Sequence, residues 1–595
     1  MLTELDYPFD STKILRKKKS LKRTLLNNKN LIDKKIAILG DASTNELKEQ
    51  IELFLLKANI RPKFYECDYG QYYEAVIFED KSLYEFKPDF IYIHVSTENL
   101  KNLSNSTKYS KGKVQEEFNK LELIWKKINK HFNCPIIQDN FELPLFRSFG
   151  NYDISSEESK INFVSHLNSM IIKATKKNNF LNICDRNYLS CKIGLSIWND
   201  YSLWLSSKYS LSYKAITHLS YTVSKIIESL LGRSKKCLVL DLDDTLWGGI
   251  IGDDGKEGVH LGKDTAIGEA YLDFQKYIKE LKNRGIILAI CSKNEFHIAK
   301  SGFDHPDSIL KFSDFTVFKA NWEPKSKNVY EIAEELNIGL DSLVFIDNNP
   351  FERDMVRKEF NGQVCVPEIG DDITTYRNII DTSDLFCITQ MSSEDIKRND
   401  YYKDNKIRKK YLSNFDNYED YLKSLNMLAE ISSFKEIYIN RITQLINKTN
   451  QFNLTTKRMS ENEVKLSMND KNKLSLYARL RDKFGDNGLV SLIQGIILKD
   501  ELRIETWVMS CRVFKRTLEK SILYEFLKKA KEMNIKIVKG IYIPTSKNSI
   551  VSNLYEEMGF VFKNKLDETK TYELDLLKYK IPNNKIINLQ LFNEE

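Results

Sequence analysis

The sequence predicts an α/β protein, with a doubly wound parallel sheet at its centre, another α/β domain before it and an α+β domain after it. Three observations carry that reading. The apolar run Leu238-Val-Leu240 ends in Asp241 and Asp243, as a buried parallel strand does where it leaves the core. From Ile36 onward strand-like and helix-like runs alternate, the order that builds a parallel sheet. Past residue 425 consecutive strand-like runs lead into a helix, the order of an antiparallel α+β domain.

At 595 residues the chain is too long for one hydrophobic core. Its pattern divides into 1–181, an α/β domain; 182–235, a helical connector; 236–390, the central domain; 391–424, a linker; and 425–595, the α+β domain. Residues 13–35 hold ten Lys or Arg against the single Asp33. Such a run could meet nucleic acid or anionic lipid, but without interleaved aromatics a solvated helix face is the plainer reading. Strands are expected at Ile36–Leu39, Arg61–Tyr65, Phe90–Val95 and Pro135–Gln138, and the turn Gly40-Asp-Ala-Ser-Thr44 opens a helix that reaches Leu56. The connector carries Trp198, Trp204 and an amphipathic helix, Lys214–Leu231, closed by Gly232. Met391–Asn414, dense in charge and Tyr, reads as a solvated linker with helical character. The last segment has a helix near Arg441, strands at Leu474–Leu480, Leu489–Leu498 and Leu502–Ser510, and an amphipathic helix, Leu518–Met533.

With 42% hydrophobic and 29% charged residues the chain can bury true cores. A net charge of +7 fits an acidic partner weakly and gives no support to nucleic acid. Nine cysteines, an odd number without a Cys-x-x-Cys pair, make neither a zinc site nor a disulfide framework, which fits a reducing cytoplasm. Met1–Pro8 lacks a basic segment followed by an apolar core, and no stretch approaches about eighteen apolar residues, so neither a signal peptide nor a membrane span is expected.

The chemistry concentrates where the first central strand ends. Carboxylates two apart, then Thr245 and the turn Gly248-Gly-Ile-Ile-Gly-Asp-Asp-Gly255, suit Mg2+ and a phosphate better than they suit a core. Ligands of open parallel sheets bind at that edge. Asp-x-Asp-x-Thr after an apolar strand resembles motif one of the haloacid dehalogenase (HAD) superfamily. The resemblance implies that Asp241 attacks phosphorus and Asp243 shuttles the leaving-group proton. Gly285-Ile-Ile-Leu-Ala-Ile-Cys-Ser292 matches the strand whose terminal hydroxyl, here Ser292, hydrogen-bonds the phosphoryl group. Lys325, in Asn321-Trp-Glu-Pro-Lys-Ser-Lys-Asn328, matches the charge-neutralising lysine, with Lys327 the alternative. Leu343-Val-Phe-Ile-Asp347 supplies an acidic metal ligand, so the implied ligands of Mg2+ are Asp241, Asp243 and Asp347. Steps of 51, 33 and 22 residues between positions 241, 292, 325 and 347 leave no room for a large cap domain, and an open site is expected.

Leu246-Trp-Gly-Gly-Ile-Ile-Gly-Asp-Asp-Gly255, Cys291-Ser-Lys-Asn294 and Asp347-Asn-Asn-Pro-Phe-Glu-Arg353 together resemble the FkbH-like family, over about residues 30–575. That resemblance implies an enzyme that takes a glyceryl unit from 1,3-bisphosphoglycerate, removes phosphate and loads the unit on the phosphopantetheine thiol of an acyl carrier protein. Thr245, Lys293 and Asn294 are its implied phosphate or substrate contacts. Asn348 stands where a second aspartate is expected, and a neutral amide should hold the metal less tightly.

Both flanks carry resemblances of their own. Gly40-Asp-Ala-Ser43 is similar to the opening of SGNH hydrolases, but the serine is displaced by one position and no Asp-x-x-His follows. A nucleophile without a positioned base is inert. The domain also resembles the N-terminal part of FkbH-like proteins, which implies a degenerate SGNH- or flavodoxin-like fold used for docking. Ser510-Cys-Arg-Val-Phe-Lys-Arg516 and Asn553-Leu-Tyr-Glu-Glu-Met-Gly-Phe560 are similar to GNAT acyltransferases, whose Gly-rich turn presents N–H groups to the pyrophosphate of coenzyme A. Lys515 and Thr517 replace two of those glycines, which argues against the usual mode, while Arg512, Lys515 and Arg516 could hold a phosphopantetheine phosphate. Two thiols compete as an acyl carrier within the enzyme: Cys291, beside Ser292, is preferred over Cys511, beside Arg512. A phosphohydrolase of a soluble metabolite, a silent interaction protein and a glyceric-acid donor for surface glycans remain open alternatives.

Overall fold

The computed structural model describes residues 3–28, 31–100, 103, 111–545 and 547–590, and the chain divides into two units that meet at Leu230 and Leu231. Lys29 of the basic run, the first two residues of Met1–Pro8 and the last five residues of the 425–595 segment lie outside the described residues.

In the N-terminal unit five parallel strands, β1 (Ile32–Gly40), β2 (Ile60–Glu66), β3 (Phe90–His94), β4 (Ile136–Asp139) and β5 (Leu181–Cys184), lie in the order β2-β1-β3-β4-β5. Four match the expected runs. The fifth, Leu-Asn-Ile-Cys, has no periodicity to read, being four residues broken by Asn182, and it crosses the expected boundary at 181/182. The segment expected as a connector also supplies helix Tyr213–Leu230, whose Ser220 and Ser224 hydroxyls donate to the Leu47 and Ile51 carbonyls of helix Asn45–Lys57 at 3.2 and 3.5 Å. The basic run forms helix Ser11–Leu26, and three of its lysines are paired: Lys17 with Glu4 at 2.9 Å, Lys18 with Glu46 at 2.7 Å and Lys22 with Glu52 at 2.6 Å.

The second unit contains the central sheet and the C-terminal sheet. β6 (Cys237–Leu240), β7 (Ile287–Ser292), β8 (Val317–Ala320) and β9 (Leu343–Ile346) are parallel, in the order β8-β7-β6-β9. Side chains alternate across this sheet with period two. Leu238, Leu240, Leu288, Ile290, Val344 and Ile346 join one core with helices Ala266–Asn283 and Ile373–Thr382. Cys237, Val239, Ile287, Ala289, Cys291 and Phe345 join another with helices Lys325–Leu336 and Pro350–Glu359. No domain is inserted between β6 and β9, so the carboxyl edge of the sheet lacks a cap, as expected.

The linker is not the solvated segment expected. Its helix Arg398–Leu412 buries Asn399, Tyr401, Tyr402 and Arg408, with Tyr402 in the core beside Cys237 and Arg408 paired to Asp482 at 2.7 Å. Charge density misled because the charged residues on its other faces are solvated while one face packs.

The C-terminal sheet has eight strands: β10 (Met427–Ser433), β11 (Lys473–Asp482), β12 (Gly485–Leu498), β13 (Glu501–Met509), β14 (Ile537–Tyr542), β15 (Val561–Leu566), β16 (Thr569–Asp575) and β17 (Ile587–Leu589). Their order is β15-β16-β14-β13-β12-β11-β10-β17, antiparallel except for β13–β14 and β10–β17. Helix Leu518–Glu532 links the parallel pair β13 and β14, giving the α+β, GNAT-like layout expected.

Two expectations follow. Gly285 has φ +94°, and a Cβ there would lie 1.9 Å from the carbonyl oxygen of Asp395. Gly285→Ala should therefore cost about 2–3 kcal/mol, read as a lower denaturation midpoint of the intact chain. His218, with its ring 4.9 Å from that of Phe9, is pulled down to about 4 by burial. A histidine depressed in the folded state gives stability above its unfolded pKa of about 6.5, and that stability is lost as pH falls toward 4. His218→Phe should flatten this acid limb, and calorimetry of variant and wild type from pH 7 to 4 should show their difference shrinking or reversing on acidification.

Candidate active site

The register of the central sheet sets the site. Leu240 pairs with Ile346, so the next residues, Asp241 and Asp347, leave neighbouring strands side by side at the carboxyl edge. Lys325, the first residue of its helix, reaches between them: its Nζ lies 2.9 Å from Asp241 Oδ2 and 2.6 Å from Asp347 Oδ2. All three are buried. Burial opposes the ammonium's charge, but the two carboxylates outweigh it and hold Lys325 above its ordinary range. Burial, and then the neighbouring Asp241, push the carboxyl of Asp347 up to about 6. Asp241 Oδ1 is buried without a hydrogen-bond partner, an oxygen left for something outside the protein.

Asp243 is arranged differently. Its Oδ1 accepts from Trp247 Nε1 at 2.9 Å and from the Ile251 N–H at 3.1 Å, and its Oδ2 accepts from Asn294 Nδ2 at 2.8 Å. Three of about four lone-pair positions are thus filled by protein donors, so the carboxylate as placed leaves one position for the expected metal. Among the described residues no three acidic, histidine or cysteine side chains converge as such a cage. Burial pushes Asp243 above the ordinary carboxylate range, a property suited to a group that gives and takes a proton.

The loop after β6 is held open by Gly249, at φ +91°, where a Cβ would lie 2.5 Å from Asp254 Oδ2. Thr245 is buried, and its Oγ1 accepts from the Asn348 N–H at 3.3 Å, tying the first loop to the fourth. Ser292 ends β7 with its hydroxyl accepting from Asn294 Nδ2 at 3.3 Å. Lys293 pairs with Glu352 at 2.5 Å. The alternative lysine, Lys327, is exposed and pairs with Glu323 at 3.1 Å, away from both aspartates.

Sequence reasoning gave no role to Arg353, whose Nη1 donates to the Asp347 and Asn348 carbonyls at 2.9 and 2.6 Å while Nη2 donates to Glu368 at 2.5 Å. A buried arginine six residues after the metal-site aspartate, on a helix opened by Asn349 and Pro350, was the available signal. Its guanidinium fixes the loop from which Asp347 projects.

The thiol expected to carry an acyl group is elsewhere. Cys291 packs with Cys237, Val239 and Val329, its Sγ donates to the Lys325 carbonyl at 3.6 Å, and burial pushes its pKa far up. Alternation along β7 turns Cys291 into the core when Ser292 faces the site, so it is a packing residue. Cys511 is half-buried in a turn of the C-terminal domain.

Of the expected phosphopantetheine contacts, the two arginines have partners within the protein. Arg516 is buried, and its guanidinium donates to Asp482 at 3.1 Å, Asn405 at 2.7 Å and the Arg512 carbonyl at 2.9 Å; burial lowers its pKa to about 10. Arg512 lies 4.0 Å from the Tyr401 ring. Lys515 and Thr517 keep the glycine-like backbone, with φ 65° and 64°, and Lys515 is exposed. Glu519 places a buried carboxyl in the first turn of helix Leu518–Glu532, where an incoming phosphate would meet like charge. β13 and β14 pair only from Glu501 to Ile504 and Ile537 to Gly540; beyond that Phe452–Leu454 takes over, with Met509 N–H donating to the Phe452 carbonyl at 3.1 Å and Ile543 N–H to the Leu454 carbonyl at 2.8 Å.

In the N-terminal unit Ser43 donates to the Ser207 carbonyl at 2.7 Å, and no histidine is among its partners in the described residues. The histidine at that edge, His94, is buried against Asp139 at 2.7 Å, and Arg186 donates to Glu142 at 2.5 Å.

Strand order, uncapped edge and the Asp241–Lys325–Asp347 arrangement define a HAD-type phosphatase domain. Residues 35–228 match the family described as FkbH, N-terminal domain. The N-terminal part of the protein BF1531 from Bacteroides fragilis, described as containing a phosphatase domain and crystallised with Mg, is 34% identical at a TM-score of 0.59, over 63% of this chain and 99% of that one. The chain belongs to the FkbH-like family. Two acetyltransferases align with 25% of the chain: the ribosomal-protein-S18-alanine enzyme from Escherichia coli, 12% identical over 94% of its length at a TM-score of 0.21, and the PaiA enzyme from Thermoplasma acidophilum, 15% identical over 98% at 0.19. Likeness at that level carries no weight, and the GNAT-like layout rests on the sheet itself. No curated protein matches the chain. No helix of the described residues is long and apolar enough to cross a membrane.

Lys325→Met should leave two buried carboxylates uncompensated, lowering phosphate release by about 100- to 1,000-fold and stability by about 3 kcal/mol or more. Release assayed alongside a denaturant melt checks both, and a variant that melts lower yet releases phosphate normally would remove Lys325 from the chemistry.

Proposed function

We propose that the chain is a Mg2+-dependent phosphatase that acts on a phosphorylated three-carbon donor such as 1,3-bisphosphoglycerate and loads the glyceryl unit on an acyl carrier protein thiol. The observation that carries the reading is the unpartnered Asp241 Oδ1 beside an ammonium-braced Asp347. Those carboxylates fit a hard cation, and Asp241 and Asp347 would hold it, with the neutral Asn348 adding no charge. When bound, Mg2+ neutralises charge on the phosphoryl oxygens.

The protein's own groups supply the remainder. Asp241 Oδ1, free of any protein hydrogen bond, can form a bond to phosphorus as the ester oxygen departs. Asp243, its pKa raised by burial, gives that oxygen a proton and later takes one from the water that hydrolyses the aspartyl phosphate. Ser292 offers its hydroxyl proton to a phosphoryl oxygen, and Asn294, whose amide donates to Asp243 and to Ser292, orients both.

A site without a cap suits a substrate borne on a macromolecule, and this supports the carrier-protein reading. The alternative is a phosphohydrolase of a soluble metabolite, and a glyceric-acid donor for surface glycans differs only in the later acceptor.

Protein, Mg2+ and bisphosphoglycerate should be incubated with and without carrier protein, and the carrier weighed intact. A glyceryl mass on the carrier is expected. Asp241→Asn should release less than a tenth of the wild-type phosphate at unchanged Tm. Cys291→Ala should load normally, its sulfur being core. Phosphate release with no adduct would leave the plain phosphohydrolase.

A further inference from the structure

Asp243 has to present one oxygen to a departing group, and its neighbours decide which. Oδ1 accepts from two N–H groups, those of Trp247 and Ile251, whereas Oδ2 accepts only from Asn294 Nδ2, so the open lone pair lies on Oδ2. Asn294 Nδ2 also lies 3.3 Å from the Ser292 hydroxyl, which puts Oδ2 on the side of the phosphoryl contacts. The indole that fixes Oδ1 is fully buried, and a buried indole N–H needs a partner. Asp243 is that partner, at 2.9 Å.

The ring is wedged in place. A Cβ on Gly302 would lie 2.6 Å from its Cη2 and 2.9 Å from its Cζ2, so only glycine fits behind it, and Phe303 meets it edge-on at 5.3 Å between ring centroids. The backbone is pinned on both sides: the Leu246 N–H donates to the Leu242 carbonyl at 2.7 Å, and Gly248 and His260 exchange backbone hydrogen bonds at 3.1 and 2.8 Å. An indole gives a hydrogen bond, takes none and carries no charge, so it fixes the carboxylate's orientation without exchanging its proton.

We propose that Trp247 is a positioning residue, whose indole N–H locks the Asp243 carboxylate so that Oδ2 carries the proton to the departing glyceryl oxygen. The proposal rests on the phosphatase reading. In the first step the Asp243 Oδ2–H bond breaks as that proton passes to the glyceryl oxygen, while the bond from Asp241 Oδ1 to phosphorus forms and the ester bond breaks. In the second, water gives Oδ2 a proton and its oxygen to phosphorus, and Asp241 is released with inorganic phosphate. A carboxylate free to turn about its last bond would spend part of its time with the occupied oxygen toward the ester, which misplaces the proton.

The test uses two phosphate donors with Mg2+: glycerol 3-phosphate, whose alkoxide must be protonated as it leaves, and acetyl phosphate, whose acetate leaves as a stable anion. Trp247→Phe removes the N–H and keeps a ring, Gly302→Ala pushes the indole from behind, and Phe274→Leu, a buried ring elsewhere in the same core, controls for lost packing. Because kcat/KM reports only the steps up to departure of the leaving group, the shared hydrolysis of the aspartyl phosphate drops out, and the ratio of the two values from one preparation is independent of how much of it is folded. Trp247→Phe should lower kcat/KM on glycerol 3-phosphate by about 10- to 100-fold and on acetyl phosphate by less than about threefold. Gly302→Ala should move the ratio in the same direction and carries the comparison if Trp247→Phe fails to fold, and Phe274→Leu should leave the ratio within about twofold of wild type. An unchanged ratio in the first two variants would reduce Trp247 to packing and overturn the proposal, as would an equal shift in Phe274→Leu. Wild-type protein that releases no phosphate from glycerol 3-phosphate would overturn the phosphatase reading of a three-carbon ester as well, whereas release from both donors with an unaltered ratio overturns this inference alone.

Discussion

One buried ammonium between two carboxylates organises the catalytic domain. Two like charges at the ends of adjacent strands repel in a poorly solvated edge, and removing the cation from such a group leaves a charge that costs several kcal/mol. The fold therefore has to bring Lys325 in at close range, which it does by starting a helix at that residue after the edge strand β8. Thr245 and Arg353 then tie the first and fourth loops so that Asp241 and Asp347 keep their spacing. Only one carboxylate oxygen, Asp241 Oδ1, is left free among these groups, and it is the atom the chemistry needs.

Elsewhere the protein closes sites that its layouts could offer. In the C-terminal domain the parallel pair β13 and β14 parts after four residues, and the chain fills the opening with Phe452–Leu454. Arg516 is neutralised by Asp482, which also pairs with Arg408 of the linker helix, so this arginine serves the joint between linker and sheet. In the N-terminal unit His94, Asp139, Glu142 and Arg186 form a buried group of paired charges. Buried charges already paired make poor binding groups, because a ligand would have to replace partners already made.

The sequence by itself determined the three kinds of domain and the four stations of the phosphatase motif. Strand runs two-faced in their apolarity and carboxylates at their ends are local patterns, readable without knowing what they pack against. It could not supply β5, whose four residues show no period, nor the buried face of the linker helix, where Tyr402 and Arg408 read as solvated until a partner core was present. The direction in which Cys291 points, the commitment of the Asp243 carboxylate to Trp247, Ile251 and Asn294, and the internal pairing of Arg516 were decided only by tertiary structure. The physical reason is the same in each case: a side chain's chemistry is set by its neighbours, and these come from strands and helices tens of residues away.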